Sequence, residues 1–399
     1  MSMLRAALWA GLTLAPFSLG GSGCVDRVIH ETLRCGDGVV DPGEVCLGRG
    51  EPHTLTFDGL EGASLRIASF DGDPHLDLLL SGLDPEGAVV ARLWVGHGDG
   101  TFEPPIDPGL TGCRPTMTSG TLDDDTAADV LIDGCGGSLL VFPGSSGPGL
   151  GIPTALSMEV ELRAFGIADL DADGRREVVA LGLDAAGRVA LNVAERQAGG
   201  DFAPLKINLL ADSTEDFDPR SLSLFDLDRD AQADALLIDP DHRVALARGQ
   251  PGLGFGPPEP VGPPMLTLTT ALVHDLDDDS VPDVLAASAE QEALIFLQAI
   301  DGRLVETGRT SIPQLRTGPA GVGDIDNDDR TDLLLFEPGT RRLQAWFGRG
   351  DGSFEAPQDV PIDARVDRIG LADLDEDGVL DIVAGTFQTG TIQILLGDP

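Results

Sequence analysis

Apolar and acidic positions alternate along this chain with a long period. At Ala372 to Ala384, ADLDEDGVLDIVA, acidic side chains at every second position give way to a Gly and then to an apolar run. The same pattern recurs seven times, with loop position 1 at Ser69, Thr121, Asp169, Asp226, Asp275, Asp324 and Asp373. Before the loops, apolar and small residues alternate (LRIAS, AFGIAD, SLSLFD, RIGLAD), which predicts a strand whose small side chains let backbones crowd an axis. After them come LLL, VLI, VVA, ALL, VLA, LLL and IVA. A continuous apolar run predicts a strand covered on both faces. A Gly-, Pro- or Asp-containing turn follows, then a third strand such as VVARLWVG or IQILLG, then a more polar fourth.

The interval between loops runs from 48 to 57 residues and is 49 in the last three cases. A unit of that size cannot bury its own faces, so units must stack or close radially. Four short antiparallel strands, seven times over, predict an all-β fold: a seven-bladed β-propeller of four-stranded antiparallel blades. The chain finishes at Ile392 to Gly397, a third strand, and a spare strand at about His53 to Phe57 precedes the first loop. That phase offset predicts a ring in which the N-terminal strand completes the last blade and removes the open edges. The domain organisation that follows is a leader at 1–23, a cysteine-containing linker or stalk at 24–50 and the propeller at 51–399.

Composition alters this picture through charge. The chain of 399 residues carries 26 Lys plus Arg against 67 Asp plus Glu, a formal net charge of −41. This balance disfavours nucleic acid as a partner, because binding its phosphate backbone needs clustered Lys and Arg. Much of the acid lies in the loops, where carboxylates at positions 1, 3, 5 and 9 can converge on a hard cation; Ca²⁺ takes six to eight oxygens in a flexible shell. Loops three to seven carry all four: Asp169, Asp171, Asp173 and Glu177; Asp226, Asp228, Asp230 and Asp234; Asp275, Asp277, Asp279 and Asp283; Asp324, Asp326, Asp328 and Asp332; Asp373, Asp375, Asp377 and Asp381. The first two loops have Ser69 and Thr121 at position 1 and keep Asp71, Asp73, Asp77 and Asp123, Asp125, Asp129, so they rank as the weakest sites. Glycine at position 6 suits a bend at positive φ, and only Gly174 and Gly378 supply it there. Ala231, Ser280 and Asp329 stand at that position in loops four to six and would weaken those sites through strain. Asp-rich turns also form without metal. Seven in register point instead to Ca²⁺, in up to seven sites, and carboxylates held so close predict a fold that depends on it.

The acidic motif is followed by a second one, best preserved as Phe347 to Phe354 (FGRGDGSF) and Val95 to Phe102 (VGHGDGTF). The pairing resembles the FG-GAP or VCBS-type repeat of integrin α-subunit heads and of many secreted bacterial proteins, over about residues 51 to 399. That resemblance implies a carbonyl ligand at position 7 and a carboxylate at position 9. It also implies that the loops share one face of the disc and that ligands meet the opposite face. The candidates there are Ala211 to Arg220, Arg243, Arg341 and Arg342. Arg349-Gly350-Asp351 lies inside a turn motif and is read as coincidence.

The amino terminus has one basic residue, Arg5, an apolar run from Ala6 to Leu19 and small residues before Cys24, which is an export signal. Gly21-Ser22-Gly23-Cys24 resembles a bacterial lipoprotein processing site, departing from it at Gly21 where Leu is usual. It implies a lipidated Cys24 and an outer-membrane or cell-surface location, with plain secretion or the periplasm as the alternative. Four further cysteines suit two disulfides in an oxidising space, Cys35 with Cys46 and Cys113 with Cys135. No HExxH, GxSxG or unpaired nucleophilic cysteine occurs. The expected function is therefore a monomeric, non-catalytic binding or adhesion scaffold for a protein or glycan ligand. A propeller-fold polysaccharide lyase or hydrolase is the alternative.

Overall fold

The computed structural model describes residues 53–397 apart from 124, 148, 198–200, 215–216, 242, 262–269, 278, 289, 313–319, 338–340, 352 and 361–365. The leader, Cys24 and the Cys35–Cys46 pair lie outside the described residues. The described chain forms seven antiparallel blades of a closed propeller, the first six running from the axis outward in chain order, with a small two-stranded ribbon, Gly249–Gln250 with Gly254–Phe255, beside blade 4. Blade 3 shows the plan: Glu161–Ala168, Glu177–Leu183, Val189–Ala194 and Lys206–Ala211 pair successively. In blade 1 the outer strand is reduced to a single bridge, Leu93 with Ile106. The second strand is the most deeply buried, as its unbroken apolar runs require; Asp129–Asp133, Asp234–Ile238 and Asp381–Thr386 are buried throughout.

Ring closure follows the phase offset. His53–Thr56 pairs with Thr391–Leu395, from His53 opposite Ile394 to Thr56 opposite Thr391, and supplies the outer strand of blade 7. The hydrophobic core is divided accordingly into seven clusters, one at each seam between neighbouring blades. Trp94 and Phe387 fill the closing seam, with Phe57 edge-on to Trp94 at 5.9 Å. Phe142 packs between blades 1 and 2 and Trp346 between blades 5 and 6. The aromatic residues therefore join blades instead of forming a stacking surface.

A disulfide links Cys113 to Cys135 across 5.4 Å between Cα atoms. It ties the approach to the inner strand of blade 2, Met117–Gly120, to the turn after its second strand. Closing a loop of 22 residues in this way restricts the unfolded chain and stabilises the ring by about 3 kcal/mol. No helix among the described residues is long and apolar enough to cross a membrane.

Candidate metal centres

Each acidic loop joins an inner strand to a second strand at the same register. Loop position 9 is the first residue of the second strand and faces the last inner-strand residue, as in Ala372 with Asp381 and Gly323 with Asp332. The position 2 side chain, from Phe70 to Leu374, is buried in the seam toward the next blade. Burial of this side chain pins the loop to the core, as its apolar character predicts.

Position 9 does more than the sequence indicates. One oxygen of Asp381 accepts the Leu374 N–H at 2.6 Å, and the other accepts the Gly397 N–H at 2.8 Å, at the end of the third strand. Asp77, Asp129, Asp234, Asp283 and Asp332 make the same two contacts. This carboxylate is a strut between three strands, with lone pairs to spare for a cation. Burial pushes Asp77, Asp129 and Asp283 up to about 6, and Glu177, Asp332 and Asp381 up to about 7. Gly348, which donates to Asp332, has no room for a side chain; a Cβ there would lie 2.1 Å from the Thr331 carbonyl. That close approach accounts for the glycine of the second motif.

The remaining positions shape the loop. In loops three to seven the position 1 carboxylate accepts N–H groups from positions 5 and 6, at 3.1 and 3.0 Å on Asp373. The position 5 carboxylate accepts the N–H of position 7, as Asp377 does from Val379 at 2.9 Å. The bend places position 6 at positive φ, with Ala231 at 64°, Ser280 at 67° and Asp329 at 64°. Position 4 is also left-handed, with Ala172 at 56° and Glu376 at 59°, which the sequence does not reveal. A non-glycine residue in this region costs about 1–2 kcal/mol, part of which glycine returns to the unfolded chain as entropy. Ala231→Gly is therefore expected to raise stability by roughly 0.5–1 kcal/mol in denaturant unfolding. An unchanged or lowered midpoint would contradict the strain assignment.

Position 3 is the residue that needs a ligand. Oδ1 of Asp171, Asp277 and Asp375 is shielded from water and has no hydrogen-bond donor. An anionic oxygen left this way costs several kcal/mol, and a bound cation would supply the missing partner. Five groups of acidic oxygens lie within 4.8 Å of one another and could hold a metal ion. They are Asp169, Asp171 and Glu177; Asp226, Asp228 and Asp230; Asp275, Asp277 and Asp279; Asp324, Asp326 and Asp332; and Asp373, Asp375 and Asp381.

Loops one and two hold no such group among the described residues. Ser69 and Thr121 offer no carboxylate for the two amides, and Pro74, at position 6 of the first loop, cannot take positive φ. Asp71 and Asp123 turn instead to the backbone, accepting the Asp73 and Asp125 N–H groups at 3.1 and 3.2 Å. The low rank of these loops in the sequence is matched by this geometry.

Two arginines change the ranking further. Arg196, from blade 3, reaches across the seam to Asp123 at 3.3 Å and Asp129 at 3.9 Å, so a guanidinium stands in the second loop. Arg248 lies 2.9 Å from Asp234 and 3.3 Å from Asp228, between positions 9 and 3 of the fourth loop. In the fifth loop Gln298 donates to Asp277 at 2.7 Å. Loops three, six and seven group positions 1, 3 and 9, and the arginines within the third and sixth, Arg175 and Arg330, pair with the position 5 carboxylates Asp173 and Asp328, outside those groups. Native mass spectrometry is expected to find them filled first, and Arg248→Gln to add one ion at the fourth loop. An unchanged ion count would exclude Arg248 as the competing cation.

The loops are tied to one another around one face. Thr126 Oγ1 donates to Gly72 O at 3.0 Å and Thr331 Oγ1 to Asp275 O at 2.9 Å. His75 meets Glu376 at 2.6 Å where loop seven closes on loop one, and this hydrogen bond raises the imidazole pKa. Of the residues proposed for the opposite face, Arg220 lines a cavity at the axis, whereas Arg342 pairs with Asp359 on the outer strand. Arg243 is held by Asp239 at 2.6 Å and lies 5.9 Å from the Phe217 ring. The Asp351 carboxylate of the Arg-Gly-Asp tripeptide is engaged by the Ser353 N–H and hydroxyl, so it closes its own turn.

Residues 275–335 and 324–384 each match the model of the FG-GAP-like repeat. The chain contains FG-GAP-like repeats. No curated protein matches the chain. Among solved structures it is similar to BBS1N in complex with ARL6DN, soaked with lead, at TM-score 0.57 and 10% identity, covering 86% of this chain and 95% of that one. It is also similar to the periplasmic gluconolactonase PpgL of Pseudomonas aeruginosa, at TM-score 0.50 and 16% identity, covering 73% of this chain and 85% of that one. At these identities the likeness is one of fold.

Proposed function

We propose that the protein is an exported, calcium-stabilised and non-catalytic propeller that acts as a binding or adhesion scaffold. The observation that carries this reading is the set of five acidic groups repeated in register around one end of the ring, three of them with a shielded, donorless position 3 oxygen at Asp171, Asp277 and Asp375. Calcium suits loops that offer several carboxylates and a carbonyl in a flexible shell, whereas Mg²⁺ demands a tighter octahedron and retains water. Its role would be structural, which leaves the opposite face to a protein or glycan ligand. The FG-GAP-like repeats agree with an integrin-like head. The export leader, Cys24 as a lipid anchor and the Cys113–Cys135 bridge agree with an oxidising extracytoplasmic setting at the outer membrane or cell surface.

The test is calorimetric titration with Ca²⁺ and with Mg²⁺, followed by retention of purified envelope polysaccharides on the immobilised, calcium-loaded protein. Preference for Ca²⁺ and retention that EGTA abolishes would support the scaffold. No heat with Ca²⁺ would remove the metal from the reading, and absence of retention would remove the glycan ligand. A lactone hydrolase is the second reading, favoured by the gluconolactonase among the structures of similar fold. Turnover of δ-gluconolactone above the buffer rate would replace the non-catalytic reading.

A further inference from the structure

The inner strands of blades 1 to 4 line an open cavity of about 530 Å³ at the axis of the ring. Three of its lining residues are arginines, Arg66, Arg163 and Arg220, and none is acidic. In a chain with 67 Asp plus Glu and only 26 Lys plus Arg, that local inversion of charge is unexpected from composition. Arg163 and Arg220 stand six residues before position 1 of their loops, so they project at the end of the ring away from the acidic groups. Arg66 sits further along its strand, three residues before Ser69.

The arginines are only partly neutralised. Arg220 is held by Asp218, whose second oxygen lies 3.9 Å from Arg163 Nε. Arg163 also meets Glu161 at 3.3 Å, yet its Nε is shielded from water and lacks a hydrogen-bond acceptor. Arg66 donates to two carbonyls, those of Leu65 and Met117, and has no carboxylate partner among the described residues. Its pKa is lowered, first by burial and then by the neighbouring charge of Arg368. A guanidinium so placed is a charge without a counter-ion, on a planar donor fork that matches carboxylate or phosphate oxygens. Thr116, Thr118 and Ser221 add hydroxyls to the same wall. The volume falls within the range of small-molecule sites.

We propose that this axial cavity is an anion site that takes the carboxylate or phosphate group of a small ligand, with Arg66, Arg163 and Arg220 as its donors. The location agrees with the scaffold reading, on which it rests only for placing the ligand opposite the metal centres. Anion and cation sites then lie toward opposite ends of one ring, and the calcium loops act on the anion only by holding the inner strands in register.

Isothermal titration of the calcium-loaded protein with inorganic phosphate at up to 1 mM, with D-glucuronate, and with uncharged methyl glucoside tests the proposal. One site for phosphate or glucuronate and none for the glucoside is the expected result. Phosphate alone would assign the site to phosphate groups, glucuronate alone to sugar acids, and either outcome supports it. Arg66→Gln and the more exposed Arg220→Gln should each weaken the anion at least tenfold. Circular dichroism melting of both variants checks that the ring is intact, and Arg220→Gln carries the test if Arg66→Gln fails to fold. The proposal is overturned if neither anion binds, if the glucoside binds equally, or if a folded Arg220→Gln binds as tightly as the parent. Anion binding without retention of any envelope polysaccharide would leave this site standing and remove the glycan-scaffold reading; the reverse would do the opposite.

Discussion

Removing divalent cations with EGTA at pH 8 is expected to lower the melting temperature of the protein by about 10 °C. Three intact loops, each held at one hundred times its dissociation constant, contribute about 8 kcal/mol through mass action. For a ring of this length that free energy corresponds to a shift of about 10 °C. The pH dependence gives the loss a sign. Burial raises the position 9 carboxyls of the folded, metal-free protein above the ordinary carboxylate range, to about 6 for Asp77, Asp129 and Asp283 and about 7 for Glu177, Asp332 and Asp381. Groups raised in the folded state contribute stability that is complete below their unfolded pKa and is lost as pH rises through the folded value. The metal-free protein should thus be more stable at pH 5 than at pH 8, and the EGTA effect should be largest at pH 8. Bound calcium would stabilise the deprotonated loops, so adding it should reduce or reverse that slope. A melting temperature indifferent to EGTA at pH 8 would mean that the loops are hydrogen-bonded turns without metal.

The second large effect separates the strut from the ligand. Asp381→Ala leaves the Leu374 and Gly397 N–H groups buried without an acceptor, each at a cost of about 1–3 kcal/mol, for a total of about 4. That loss should persist in EGTA, because the two bonds do not need the ion. Asp375→Ala has the opposite profile. It removes a buried anionic oxygen that has no donor, so in EGTA the variant should match or exceed the parent in stability; in Ca²⁺ it should fall below it. Denaturant midpoints of both variants, with and without calcium, provide the check. Equal losses for Asp381→Ala and Asp375→Ala in EGTA would mean that position 3 is also a structural strut.

Much of this architecture was legible in the chain. The apolar run after each loop, the buried residue at position 2 and the unpaired third strand at Ile392 to Gly397 are local patterns. They translate directly into a fully covered second strand, a pinned loop and a ring closed by His53–Thr56. The acidic spacing likewise identified the loops and ranked the first two lowest, since Ser69 and Thr121 visibly lack the carboxylate. Two features were harder to read. The double role of Asp381 depends on Gly397, which meets it only after three strands have paired. Arg196 reaches the second loop from another blade, and neither residue's immediate neighbours announce the contact. The arginines at the axis left one faint trace, the equal offset of Arg163 and Arg220 from their loops.

The sequence by itself determined the number of blades, their strand order, the point of closure and the positions of the acidic loops, because each follows from a period along one chain. Only the tertiary structure decided which loops keep a carboxylate oxygen without a donor, which are met by an arginine, and that Arg66, Arg163 and Arg220 share one cavity. Those outcomes depend on distances between blades, where a few ångströms separate an ion pair from a group that could hold a cation, and periodicity along the chain carries no information at that scale.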